Sequence, residues 1–247
     1  MQNILLEIEY LGTNYFGFQI QQKKNKSEIT VQSVLEKALK DLFKENIRIA
    51  ASGRTDRGVH AKAQVVNFKV KTKIPLTNIK KALNSFLPSD IRIKRVKKVP
   101  FGFHARFSAK SKIYRYIILN SKEPSVFSKD FVWHLSSNLD LAKMKRAANN
   151  LLGKKDFSVF AKQASSYEDC RRKVSNISIK KRKNQIFIDI EAEGFLRSMA
   201  RNIVSFLVKI GECKIKPADT SAILKKKIPY INKPAPASGL YLYKVKY

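Results

Sequence analysis

The stretch Ala51-Ser52-Gly53-Arg54-Thr55-Asp56-Arg57-Gly58-Val59-His60-Ala61 sits between two segments, 47–51 and 64–70, that read as strands. It is therefore a polar loop carried by a sheet, a position where binding and catalytic residues concentrate. Gly53 and Gly58 let its backbone turn tightly or approach a ligand. Asp56 is its single carboxylate, set between Arg54 and Arg57. An aspartate in a turn commonly bonds nearby backbone amides, so the loop alone leaves a structural and a chemical role both open. A phosphate-binding P-loop is excluded, because the closing Lys-Ser/Thr is missing.

Upstream of this loop, residues 3–10 alternate as a strand that enters a turn with Gly12 and Gly17. Thr30 caps a helix whose Val31, Val34, Leu35, Ala38, Leu39, Leu42 and Phe43 share one face. Downstream, Thr77 starts a second helix through Ile79, Ala82, Leu83, Phe86 and Leu87, stopped by Pro88. Residues 91–99 read as a basic, exposed strand. After Pro100 the pattern begins again. Strand 113–119 precedes a helix over 141–152 ended by Gly153, and strands 174–180 and 185–193 pair across Lys183-Asn184. A long helix over 195–210 is closed by Gly211, and 240–247 alternates as a last strand. The class is α+β, with helices on antiparallel-rich sheets. Its two halves span 1–105, with the aspartate loop, and 106–247. They share no sequence-level repeat.

The chain has 247 residues, with 50 Lys and Arg against 19 Asp and Glu and a net charge of +31. Lysine outnumbers arginine, which matches the codon bias of an AT-rich genome. The cations nevertheless recur as clusters within the fold: Lys23-Lys24, Lys80-Lys81, Lys94 to Lys98, Arg171 to Lys173, Lys180 to Lys183 and Lys225 to Lys227. That distribution predicts a folded basic surface with a polyanionic partner, nucleic acid above all. Two cysteines, Cys170 and Cys213, make no disulfide framework, and neither has Cys or His at zinc-ligand spacing. The expected compartment is a reducing cytoplasm. The N-terminus has no signal-peptide pattern, and no apolar run nears the roughly 18–20 residues of a membrane span. His60, His104 and His134 are dispersed, so no metal site is expected, and serine-hydrolase and dinucleotide signatures are missing.

Two further features carry chemistry. Arg201 lies among Phe195, Leu196, Met199, Ala200, Ile203, Val204, Phe206, Leu207 and Val208. A helix apolar nearly all round is buried, and an arginine in its midst either pairs with an anion or snorkels to the surface. In Lys112-Ile113-Tyr114-Arg115-Tyr116, a strand puts both tyrosines on the face of Lys112. Rings interleaved with cations suit base stacking with phosphate contact.

These stretches resemble the tRNA pseudouridine synthase A family. Its signature around the catalytic aspartate is matched by Gly53-Arg54-Thr55-Asp56-x-Gly58-Val59-His60-Ala61. Family-like elements follow in order along nearly the whole chain: Tyr10-x-Gly12 with Phe16-Gly17-Phe18-Gln19, Thr30-Val31-Gln32, Leu83-Asn84 with Leu87-Pro88, and Phe103-His104-Ala105-Arg106. Then come Lys112-x-Tyr114-x-Tyr116, Phe195-Leu196 with Met199 and Arg201-Asn202, and Gly239-Leu240-x-Leu242. Arg57, Lys155 and Ala200 depart from the bacterial pattern, which usually has alanine, histidine and valine there.

The resemblance implies a pseudouridine-synthase fold of two ferredoxin-like (RRM-like) halves with an active-site cleft between them. It implies an isomerase that converts uridine to pseudouridine in the tRNA anticodon arm, at positions 38, 39 and 40. Asp56 would be the nucleophile, Tyr114 would pack against the base and Arg201 would pair with Asp56. Attack at C6 of the ring and at C1′ of the sugar both fit. The uridine must be flipped from its stack, and Arg54 would hold it or fill its gap. Gln19, His60, Arg106 and Lys112 are the further candidates for RNA contact. An isomerisation requires no cofactor and no metal. A homodimer is implied by the family alone. The alternative reading is a non-catalytic structured RNA-binding protein, which explains the charge but not an aspartate among arginines.

Overall fold

In the computed structural model, which describes residues 1–21, 28–231 and 233–247, alternation sets the first strand. The lysine pair Lys23-Lys24 lies outside the described residues. Strand β1 (Gln2–Tyr10) buries Ile4, Leu6, Ile8 and Tyr10. It is antiparallel to β3 (His60–Val70) on one side and β4 (Ile91–Val99) on the other. The pairs Ile4–Phe68 and Leu6–Val66 fall on one face of this sheet, while Asn3 and Asn67 point to the opposite one. Helix α1 (Val31–Phe43) starts where expected: Thr30 Oγ1 accepts from the Ser33 N–H at 3.2 Å, and Ser33 reciprocates to the Thr30 N–H. Phe43 touches Phe68 with ring centroids 6.0 Å apart, and α2 (Leu76–Phe86) packs on β4.

The chain divides into two compact units, Met1–Lys110 with Tyr241–Tyr247, and Ser111–Leu240. In the first, the last strand β10 (Leu240–Lys246) returns to lie parallel to the start of β3, with Tyr241 opposite His60. Its sheet order is β4-β1-β3-β10, with the short β2 (Ala50–Ala51) also on β3. In the second, β5 (Ser111–Asn120), β9 (Gln185–Ala192), β8 (Arg171–Arg182) and β7 (Gly153–Asp156) follow in that order, all antiparallel, while β6 (Trp133–Leu135) runs parallel to β5. Lys112, Tyr114, Tyr116 and Ile118 share the buried face of β5, opposite Ala192, Ile190, Ile188 and Ile186. The reverse face carries the fork between Arg115 and Asp189, two bonds of 2.7 Å. Helices α3 (Leu141–Asn149) and α4 (Met199–Gly211) pack together; a Cβ on Gly211 would meet the Met144 sulfur at 2.8 Å. A one-turn helix α5 (Thr220–Leu224) completes five α-helices among the described residues. None of those helices is long and apolar enough to cross a membrane. The fold is α+β with a mainly antiparallel sheet.

Several boundaries differ from the sequence expectation. Only Ala50–Ala51 of the segment 47–51 pairs, and β3 begins at His60, so His60 and Ala61 belong to a strand and the loop shortens to 52–59. Gly58 at φ 77 makes the turn just before it. Helix α2 starts at Leu76 with Pro75 at its N-cap, so Thr77 does not cap it. Helix α3 stops at Asn149, and Gly153, at φ 92, opens β7 instead of capping a helix. Helix α4 starts at Met199, because Ser198 is left-handed at φ 60 and breaks the run from Phe195. The two-residue link Lys183-Asn184 joins β8 to β9 as expected, with Lys183 left-handed at φ 52.

Candidate active site

The loop 52–59 is held by hydrogen bonds at Ser52, Gly53, Thr55, Asp56 and Val59. Ser52 donates to Gln64 Oε1 at 2.6 Å, and Gln64 Nε2 donates to the Gly53 carbonyl at 2.8 Å. The Tyr10 and Thr55 hydroxyls bond at 2.8 Å, and the Thr55 carbonyl accepts from the Phe18 N–H at 3.1 Å. The Val59 N–H closes the turn on the Asp56 carbonyl at 3.1 Å. Behind the loop, the Gly12 N–H donates to His60 Nδ1 at 3.0 Å, and the His60 ring stacks on Tyr241 at 4.8 Å. Burial pushes the Tyr10 phenol far above its ordinary range, so it remains a neutral hydrogen-bonding group. Asp56 itself is half-buried, while Arg54 and Arg57 are exposed. The backbone around the carboxylate is therefore set before any ligand arrives.

Two glycines permit this arrangement. A Cβ on Gly12 would collide with the Val59 carbonyl, and one on Gly17 would stand 2.8 Å from the Thr55 carbonyl oxygen. Gly17 also has φ 90, which side chains rarely adopt. Gly17→Ala is expected to cost about 2 kcal/mol of stability, read as a lower thermal midpoint, with activity falling because the loop is displaced. A midpoint equal to wild type would mean that the Gly17 contact is dispensable.

The second unit carries the other candidates. Tyr114 is 6% exposed and meets Phe195 edge-on, with centroids 4.8 Å apart. Tyr116 lies fully buried one step along the same face, and its hydroxyl donates to the Pro236 carbonyl at 2.8 Å. Burial raises the Tyr116 phenol pKa, and the nearby positive charge of Arg201 opposes that rise. Arg201 Nε donates to the Ala235 carbonyl at 2.6 Å, and the Ala235 N–H returns a bond to the Arg201 carbonyl at 3.2 Å. Arg201 is half-buried on a helix otherwise buried almost throughout. A backbone carbonyl thus takes part of the hydrogen-bonding demand of a guanidinium that the sequence left open between an anion and the surface.

The remaining candidates are scattered. Gln19 is exposed beside Phe18, on the segment tied to Thr55. His60 is 1% exposed, so it shapes the loop from behind; its place opening β3 puts the ring in the core and not at the surface, where the expected direct RNA contact would need it. Lys112 is 9% exposed on the face of Tyr114, and Arg106 is exposed on the loop after β4. Of the departures, Arg57 lies over the Phe16 ring at 4.1 Å, Lys155 Nζ donates to the Asn150 carbonyl at 2.8 Å, and Ala200 is buried. Cys170 and Cys213 are free thiols. Among the described residues, no group of three or more His, Cys, Asp or Glu is placed to hold a metal ion. Sequence reasoning passed over Gln64 and the Ala235-Pro236 strap. Gln64 has no signal beyond its place on a strand, and the strap shows only as prolines.

The sequence profile of a family described as tRNA pseudouridine synthase matches residues 7–108 and 147–247. The chain is 45% identical over 248 residues to the tRNA pseudouridine synthase A of Thermoanaerobacter sp. (strain X514), covering 100% of both chains. It is 42% identical over 251 residues to the tRNA pseudouridine synthase A 2 of Clostridium perfringens (strain 13 / Type A), again covering 100% of both. The tRNA pseudouridine synthase A of Oceanobacillus iheyensis is 40% identical over 250 residues, covering 100% of this chain and 97% of its own.

Proposed function

This chain belongs to the tRNA pseudouridine synthase family, and on that premise we propose that it rearranges uridines of the tRNA anticodon arm with Asp56 as its nucleophile. As an isomerase it forms and breaks bonds within one nucleotide. The N1–C1′ glycosidic bond breaks, the base turns, C5 joins C1′, and the proton on C5 leaves as N1 gains one. The balance needs no oxidant, reductant or cofactor. It needs an ionised carboxylate to open the nucleotide. The observation that carries the assignment is the frame around Asp56: Thr55 is held through both its hydroxyl and its carbonyl, and the Asp56 carbonyl closes the turn onto Val59. Such pre-set geometry lowers the cost of reaching the reactive arrangement.

In this proposal Tyr114 offers its ring to the base, Arg201 pairs with Asp56, and Arg54 holds the flipped nucleotide or fills its gap. Gln19, Arg106 and Lys112 contact RNA, while His60 acts indirectly by shaping the loop. The aspartate loop belongs to the unit Met1–Lys110 with Tyr241–Tyr247, the tyrosine strand and arginine helix to the unit Ser111–Leu240. The enzyme acts in the cytoplasm, as a homodimer, on tRNA positions 38, 39 and 40. Modifying three neighbouring positions calls for recognition by backbone and shape, with little base reading. A basic chain without catalysis accounts for the charge alone and leaves the framed carboxylate without a task.

A pseudouridine map of tRNA transcripts incubated with the protein tests the substrate. The expected outcome is new pseudouridine confined to positions 38, 39 and 40. Modification outside the anticodon arm would overturn the site assignment.

A further inference from the structure

The loop spanning 100–108 is held from beneath by buried polar groups. Asn3 is 1% exposed and Asn67 is 5% exposed, both on the face of the first sheet opposite α1. The Asn3 amide donates to the carbonyls of Pro100, Phe101 and Phe103 at 3.0, 3.3 and 2.9 Å. Asn67 donates to Asn3 Oδ1 at 2.9 Å and to the Phe103 carbonyl at 3.2 Å, and accepts from the Ala105 N–H at 2.8 Å. The Tyr247 hydroxyl donates to the Ala105 carbonyl at 2.9 Å, and its ring packs on Phe103 at 4.9 Å. His104 Nδ1 takes the Arg106 N–H at 3.1 Å. A polar network satisfied in this way makes a loop rigid.

Beside the exposed Arg106 and Ser108, this rigid loop sends two aromatic rings outward. Phe101 is 58% exposed and Phe107 is 76% exposed. Each ring has a cation beside it: Lys69 Nζ lies 3.7 Å from the Phe101 centroid, and the Arg106 guanidinium 5.5 Å from that of Phe107. The His104 ring lies 4.5 Å from Phe107 on the same loop. Single exposed apolar residues are ordinary, but here one clamped loop exposes two rings, each next to a cation. Because the loop is already ordered, little entropy is lost when something binds it.

Resting on the reading that tRNA is the substrate, we infer that Phe101 and Phe107 form a stacking platform for unpaired bases of the bound tRNA. Charge selects the partner: rings flanked by Lys69 and Arg106, in a chain of net charge +31, match a ligand that brings flat π-faces together with phosphates. A continuous duplex hides its base faces and offers phosphate and 2′-hydroxyls, for which a phenylalanine has no use. An apolar protein partner would have to meet the same cations. The platform contributes affinity and placement, while the chemistry stays with Asp56.

The test replaces Phe101 and Phe107 together by Ala, by Leu and by Tyr. Each variant is measured for tRNA Kd at fixed salt, for single-turnover rate at saturating tRNA, and for mass in solution by light scattering. Ala and Leu are expected to weaken binding about tenfold, while Tyr, which keeps the flat ring, stays within about threefold of wild type. The saturating rate and the salt slope of binding should hold, since neither catalytic groups nor cations are removed. Wild-type affinity in the Leu variant would overturn the platform. So would a change of mass with unchanged affinity, which would assign the rings to protein docking. The readout is binding, so a wild-type protein that binds through these rings yet makes no pseudouridine would sink the isomerase reading and leave the platform standing.

Discussion

Asp56→Asn is expected to lower pseudouridine formation by about 10^4-fold or more, the scale of losing a covalent nucleophile. Asparagine keeps the size and hydrogen-bonding shape of the side chain but cannot open the nucleotide as an anion. The bonds that frame the loop come from Thr55, Gln64, Phe18 and the Asp56 backbone, and none of them requires the carboxylate. Folding and tRNA affinity should therefore stay near wild type, with Kd within about threefold, since phosphate contacts supply most of the affinity. The check is single-turnover kinetics beside a binding isotherm. Residual turnover near wild type would remove Asp56 from the mechanism.

Arg201→Met is expected to give the second largest effect, a fall of about 10^2–10^3-fold in the saturating single-turnover rate, the range for one electrostatic partner in a reaction centre. The Nε bond to the Ala235 carbonyl fixes the plane of the guanidinium, and the strap from Ala235 to Pro236 also receives the Tyr116 hydroxyl. Methionine preserves the apolar length of the side chain on α4 and deletes the charge. Lysine should restore little, because a point charge lacks the planar fork. If binding weakens across all tRNAs while the saturated rate is unchanged, Arg201 is a phosphate contact instead.

The sequence is most informative where a local pattern and a global need coincide. Thr30 predicts its helix start because the capping box is local chemistry. The alternation of 3–10 and of 112–116 predicts faces that the sheet then buries. Around Asp56, the glycines and the lone carboxylate are visible in the chain, but what holds the loop comes from distant residues: Tyr10, Gln64 and the turn at Gly12 and Gly17. His60 shows the limit. Its type suits RNA contact, while a two-residue pairing with the last strand puts it in the core. The start of α4 is hidden for a similar reason, because the apolar run from Phe195 continues through a left-handed Ser198 that periodicity does not register. The charge of +31, conspicuous in the composition, fits many RNA-binding chains and identifies no reaction.

On the proposed mechanism, Asp56 drives an exchange at uridine in which C5 loses its hydrogen. Tritium release from tRNA labelled at C5 of uridine measures that loss directly. The wild-type protein is predicted to release one tritium for each pseudouridine formed, and the Asp56→Asn protein to release none while still binding tRNA. A wild-type protein that binds the labelled tRNA and releases no tritium above the protein-free blank would contradict the account.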